Sequence, residues 1–197
     1  MDEFARWFKD EGDINLKLNY QLNKDSLVFD VGGYEGKFAQ EIYDRYGCNV
    51  YVFEPYFETQ STDRIKVFKV GLSDSTKVEK IYPDEDGTSL YGKGEGVDIQ
   101  LVNFHDWIMA TTIAHVDLIS INIEGEEYPL LKHMIDSNIV RMFDNIQIQF
   151  HNFIPNCEQL RKEVISGLSK THTQKWCYEF VWESWEINNG ILLTKNK

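Results

Sequence analysis

A glycine elbow between a buried strand and a helix constrains this chain more than any other feature. Ser26-Leu27-Val28-Phe29-Asp30-Val31 is a short apolar run that reads as a buried strand. It ends in Gly32-Gly33, and from Gly36 to Tyr46 the apolar residues Phe38, Ala39, Ile42, Tyr43 and Tyr46 fall at helical spacing. Gly47 then stops the helix. Residues 49–55 supply a second strand and residues 65–70 a third. Strand, helix, strand at this spacing is a βαβ unit, which requires a parallel, buried sheet and a right-handed crossover.

The same rhythm returns downstream. Residues 116–123 read as a strongly apolar strand, and 126–137 as a helix carrying Leu130, Leu131, Met134 and Ile135. Residues 145–150 read as the next strand, and 158–168 as a helix turning Leu160, Val164, Ile165 and Leu168 inward. Residues 2–10 predict a short amphipathic helix with Phe4, Trp7 and Phe8 on one side; residues 11–25 are polar and turn-like. The middle is less regular: an edge strand at 78–82, a solvated acidic turn at 83–87, a short strand at 97–101 and a helical turn or two at 103–110. Near the end, two strand-like runs within 174–194 are broken by Asn188-Asn189-Gly190, a hairpin signal. Trp176, Tyr178, Phe180, Trp182 and Trp185 lie along this region; period-two alternation favours a core-facing side over a sugar-stacking surface. The expectation is one α/β domain over residues 1–197. It is Rossmann-like, with a mostly parallel central sheet, helices on both faces and a C-terminal antiparallel hairpin. Residues 1–25 form a helical extension and 78–110 an irregular insertion.

Composition narrows the partners. The chain of 197 residues carries 32 Asp and Glu against 20 Lys and Arg, a net charge of −12, so a nucleic-acid backbone is not an expected partner. No apolar run approaches the roughly 20 residues that cross a bilayer, so no membrane partner is expected either. The mixed-charge start lacks the apolar stretch of a signal peptide. Cys48, Cys157 and Cys177 form no Cys-x-x-Cys pair, which argues against a structural zinc site or a disulfide framework. A cytoplasmic protein with no metal is the expectation.

In open parallel sheets the ligand sits beyond the carboxyl ends of the strands, where strand order reverses. The first βα turn there reads Asp30-Val31-Gly32-Gly33-Tyr34-Glu35-Gly36. Counted from Gly32, the dinucleotide fingerprint fails, because Tyr34 and Lys37 stand where its second and third glycines belong. The turn instead resembles Asp-x-Gly-x-x-x-Gly, the first motif of class I methyltransferases that use S-adenosylmethionine. Glu54, ending the second strand, stands where a carboxylate accepts from ribose hydroxyls.

Further motifs in register resemble the FkbM family of methyltransferases. They are Val28–Gly36, Phe53-Glu54-Pro55, Gly71-Leu72-Ser73-Asp74, Thr88-Ser89-Leu90, the run Asp117-Leu118-Ile119-Ser120-Ile121-Asn122-Ile123-Glu124-Gly125-Glu126-Glu127, and Ile148-Gln149-Phe150-His151. Tyr34 replaces the family's usual Asn, Ser120 and Asn122 its Lys and Asp, and Gln149 a common Glu. The resemblance implies methyl transfer from S-adenosylmethionine to a hydroxyl of a sugar, glycan or polyhydroxylated metabolite, an acceptor whose pocket the 78–110 insertion shapes. Asp30 and the turn Gly32, Gly33, Tyr34 and Gly36 would hold the cofactor's amino-acid end. Glu54 with Pro55 would hold ribose, Ser73 and Asp74 would lie near adenine, and Asn122 near the methyl.

His151 is a candidate base or a hydrogen-bonding strand cap, and Glu124 is the rival base. Glu127 and Gln149 are candidate acceptor-binding residues, with helix capping the other reading for Glu124 and Glu127. A metal held by Glu124, Glu127 and His151 is the least favoured reading. His105, His115, His133 and His172 belong to no motif. The rival functions are a nicotinamide-nucleotide oxidoreductase or epimerase, and a non-catalytic cofactor-binding protein.

Overall fold

The computed structural model describes residues 2–84, 87–89 and 95–188. Among the described residues, eleven strands build two sheets. The larger contains β1 (Leu27–Val31), β2 (Asn49–Phe53) and β3 (Ile65–Phe68), then β8 (Val116–Ile121), β9 (Phe143–Ile148), β10 (His172–Tyr178) and β11 (Trp182–Ile187), in the order β10-β11-β9-β8-β1-β2-β3. All neighbours are parallel except β11, which runs antiparallel to both β9 and β10. Strand order reverses at β1, with β2 on one side and β8 on the other. This is the Rossmann-like doubly wound sheet with a C-terminal antiparallel hairpin that the sequence predicts.

The pleat sorts residues between two cores. Phe29 and Val31 point to the face covered by α4 (Phe104–Met109), α5 (Glu127–Asp136) and α6 (Cys157–Leu168). Val28, with Val50, Val52 and Leu118, points to the face covered by α3 (Lys37–Tyr46) through Phe38, Ala39 and Ile42. Gly47 ends α3 at φ 64°, its N–H closing on the Tyr43 carbonyl. On this second face the amino-terminal segment, after α1 (Glu3–Lys9) and α2 (Gly12–Asn15), lays Leu18, Tyr20 and Leu22 over the sheet. Asp30, Ser120, Gln147 and Ser184 form one cross-strand polar row. Tyr20 closes it: its hydroxyl donates to Gln147 Oε1 at 3.0 Å and shares a hydrogen bond with Ser184 Oγ.

Three expectations change. Of the α1 aromatics only Trp7 is buried, against Trp176 and Tyr178, while Phe4 and Phe8 are 56% and 63% exposed. The C-terminal hairpin turns at residues 179–181, with Phe180 at φ 57°, and not at Asn188-Asn189-Gly190, whose last two residues lie outside the described ones. The aromatic run is thereby split over two paired strands, with Tyr178, Trp182 and Trp185 buried. Finally, the middle is regular: β4 (Gly71–Ser73), β5 (Lys77–Asp84), β6 (Gly87–Ser89) and β7 (Val97–Asn103) form a second sheet in the order β4-β7-β5-β6. β5 is an inner strand there, and Ile81, Ile99 and Leu101 form that sheet's own small core. Glu85, Asp86 and Leu90 lie outside the described residues.

Candidate functional site

A cavity of about 290 Å³ opens at the carboxyl ends of β1, β2 and β8, at the point where strand order reverses. Gly32, Tyr34, Glu54, Pro55, Asn122 and Glu124 line it. Opposite them stand Leu72, Ile81, Ile99 and Leu101, an apolar wall contributed by the second sheet. Sequence reasoning gave the 78–110 segment a pocket-shaping part without naming these residues, and it missed Glu126 on the rim. Asp30, Gly33, Gly36, Ser73, Asp74, Glu127, Gln149 and His151 do not line the cavity.

The elbow needs its glycines for two reasons. Gly32 sits at φ 82°, and a Cβ there would lie 1.9 Å from the Asn122 carbonyl oxygen. Gly36 sits at φ 81°, where a Cβ would meet Thr59 Cγ2 at 2.5 Å. A side chain at either position combines backbone strain with overlap. Two non-glycine residues on the cavity, Tyr34 and Glu124, are also left-handed, at φ 50° and 52°. Such strain persists where surrounding contacts enforce it, and it concentrates at ligand sites.

Glu54 supplies one of those enforcing contacts. Its Oε2 accepts from the Tyr34 N–H at 2.9 Å, and its Oε1 accepts from the N–H groups of Tyr56 and Phe57 at 2.7 and 3.0 Å. A carboxylate offers about four acceptor positions. Glu54 therefore welds the elbow to the loop after β2 and keeps only about one position for a ligand, fewer than a two-hydroxyl ribose grip needs. Thr59 Oγ1 donates to the Tyr34 carbonyl at 2.6 Å, and the Tyr34 and Phe57 rings meet edge-on at 4.2 Å.

Asp30 is buried beneath the elbow, and its Oδ2 has no hydrogen-bond partner. Burial lifts its pKa to about 7, with Lys17 opposing the rise and Glu54 adding to it. Asn122 Oδ1 on the cavity wall is likewise buried without a partner. Ser73 is buried, and its hydroxyl donates to Glu126 Oε2 at 3.1 Å; Asp74 accepts from Ser73 and Ser75. Ser73 thereby ties β4 to Glu126 on the rim of the cavity.

Beyond β8, Glu127 is fully buried and clamps the turn that follows the strand. Its Oε1 accepts from the Ile123 N–H at 2.8 Å and its Oε2 from the Gly125 N–H at 2.9 Å. Oε1 also lies 2.9 Å from His151 Nδ1. Glu127 thus clamps the turn with both carboxylate oxygens. The other ring nitrogen, Nε2, lies 3.5 Å from Glu124 Oε1. Burial works against the charge on His151, yet Glu124 and Glu127 outweigh it and hold the pKa at about 9. His151 keeps its proton at neutral pH in this arrangement. The two carboxylates grip opposite nitrogens of one ring, so the trio does not converge on a common metal position. Gln149 uses its backbone N–H on the Ile121 carbonyl and stays off the cavity.

No family model matches the chain, and no curated protein matches it. Solved structures similar to it are methyltransferases. The METTL16 MTase domain is 10% identical with a TM-score of 0.49, over 94% of this chain and 67% of that one. Human N-acetylserotonin methyltransferase in complex with SAM is 12% identical with a TM-score of 0.42, over 94% of this chain and 54% of that one. A putative methyltransferase from Pseudomonas syringae is 9% identical with a TM-score of 0.42, over 92% and 99%. Strand order and the reversed β11 give this chain the class I methyltransferase fold. Such distant likenesses carry no substrate and no residue role to it.

Proposed function

We propose that this chain is a methyltransferase that takes its methyl group from S-adenosylmethionine. The observation that carries the reading is the charge of the cavity. Its described lining holds the carboxylates Glu54, Glu124 and Glu126, and among the described residues no lysine or arginine lines it. A cofactor with a sulfonium and an ammonium suits that field, whereas a nicotinamide dinucleotide would place its pyrophosphate against it.

The residues present fit the group. Asn122 Oδ1 and Asp30 Oδ2 are buried acceptors without partners. The remaining acceptor position of Glu54 takes one ribose hydroxyl, and the apolar wall of Leu72, Ile81, Ile99 and Leu101 takes adenine. Asp30 lies beneath the elbow, where a bound cation would favour its ionised form. When bound, the cofactor supplies an activated methyl carbon, and alignment of nucleophile and carbon is the protein's main contribution.

Glu124 faces the cavity and is the residue we assign to the acceptor hydroxyl's proton. His151, already protonated, holds Glu124 in place and is the positioning residue, not the base. The motif likeness to the FkbM family supports a sugar or polyhydroxylated acceptor. No described helix is long and apolar enough to cross a membrane.

Calorimetric titration tests the reading. S-adenosylmethionine and S-adenosylhomocysteine should bind and NADH should not, while Asp30→Asn should weaken the first two about tenfold. Binding of NADH in their place, or unchanged affinity in Asp30→Asn, would refute the placement.

A further inference from the structure

At the opposite end of the sheet from the cavity, three side chains converge that play no part in the chemistry above. They are His115 and Asp117, flanking the start of β8, and Asp144 near the start of β9. His115 Nε2 lies 3.1 Å from Asp144 Oδ2 and 3.8 Å from Asp117 Oδ1, and one ligand atom from each residue falls within 4.8 Å of the others. Despite the 3.1 Å approach, His115 Nε2 is a buried atom that makes no hydrogen bond, and Asp144 Oδ1 is buried and unpartnered too. The nitrogen and oxygen are close, but their directions are not those of donor and acceptor. Two ligands of one tetrahedral ion with bonds of about 2.0–2.2 Å stand about 3.3–3.6 Å apart, between the two separations found here, so small side-chain shifts would admit the ion.

The surroundings orient the set. Asp117 Oδ2 accepts from the Leu27 N–H of β1 at 2.8 Å, which leaves Oδ1 for His115 and anything between them. Asn145 Nδ2 donates to the Asp117 carbonyl at 2.9 Å and so steadies the same backbone. Held carboxylates of this kind are what a metal site uses to fix its ligands. We propose that His115 Nε2, Asp117 Oδ1 and Asp144 bind a zinc ion, with the unpartnered Asp144 Oδ1 available as a further donor atom. The imidazole selects against magnesium and calcium, which take oxygen sets. The ion ties β8 to β9, and through Asp117 to β1, so its role is to secure the amino ends of three central strands. The rival arrangement is a protonated His115 shared by the two carboxylates with no ion.

Chelator-stripped full-length protein titrated with zinc chloride decides between them. One zinc per chain should bind, and magnesium chloride should give no heat. The melting temperature should rise by about 5–10 °C at a hundredfold excess of zinc over its dissociation constant. His115→Gln and Asp144→Asn, on different strands, should each weaken zinc at least about thirtyfold. Cobalt in the wild-type chain should show tetrahedral d–d bands without a thiolate charge-transfer band, a readout that needs no variant to fold. Absence of zinc binding, a thiolate band, or equal affinity in the folded variants would overturn the proposal.

Discussion

Replacing His151 by Gln turns the Glu124–His151–Glu127 chain into a pH-dependent stability measurement. The folded imidazole has its pKa at about 9, against 6.5 in an unfolded chain. At 1.36 kcal/mol per unit of pH, that difference is about 3 kcal/mol. Because the folded value is the higher one, the stabilisation is complete below pH 6.5 and disappears as pH rises through 9. A glutamine side chain retains a hydrogen-bonding amide and has no proton to lose in this range. Urea unfolding of both proteins from pH 6 to pH 10 isolates the effect, since other titrating groups are common to both. The stability advantage of the wild type over His151→Gln should shrink by about 3 kcal/mol across that range. A difference that stays flat with pH would show that His151 is neutral between its two carboxylates and would return it to candidacy as the base.

Gly32→Ala should lose S-adenosylmethionine binding in the same calorimeter, because its Cβ must displace the Asn122 carbonyl and its backbone must stay at positive φ; the strain alone costs about 1–2 kcal/mol in chemical unfolding. Arg161→Met should cost about 3–5 kcal/mol, since it strands the buried Glu183 that Arg161 Nη2 meets at 3.0 Å; Arg161→Met with Glu183→Leu should recover most of that loss in the same assay.

The glycine elbow and the strands around it were legible because their signals are local. A buried parallel strand must be apolar, and a turn at positive φ must be glycine, so residues 26–54 announced both geometry and position. The second sheet was less legible. Its strands Lys77–Asp84 and Val97–Asn103 alternate apolar and polar residues as strands should, but pairing across the intervening residues leaves no local mark. The C-terminal turn misled for a related reason. Asn188-Asn189-Gly190 has turn chemistry, whereas Glu179-Phe180-Val181 has none; the chain reverses there because Trp182 and Tyr178 must both reach the core around Trp7. Within the site, residue type identified Glu127 and His151 as special but not how. Nothing in the spacing shows that Glu127 spends its acceptors on the N–H groups of Ile123 and Gly125, or that the ring beside it sits between two negative charges.

The chamber's two sides have separate foundations. The elbow, Glu54 and Asn122 are anchored in the large sheet, while Ile81, Ile99 and Leu101 hang from a small one with its own hydrophobic centre. Exchanging the segment from Lys77 to Asn103 would recut one half of the mould and leave the other standing.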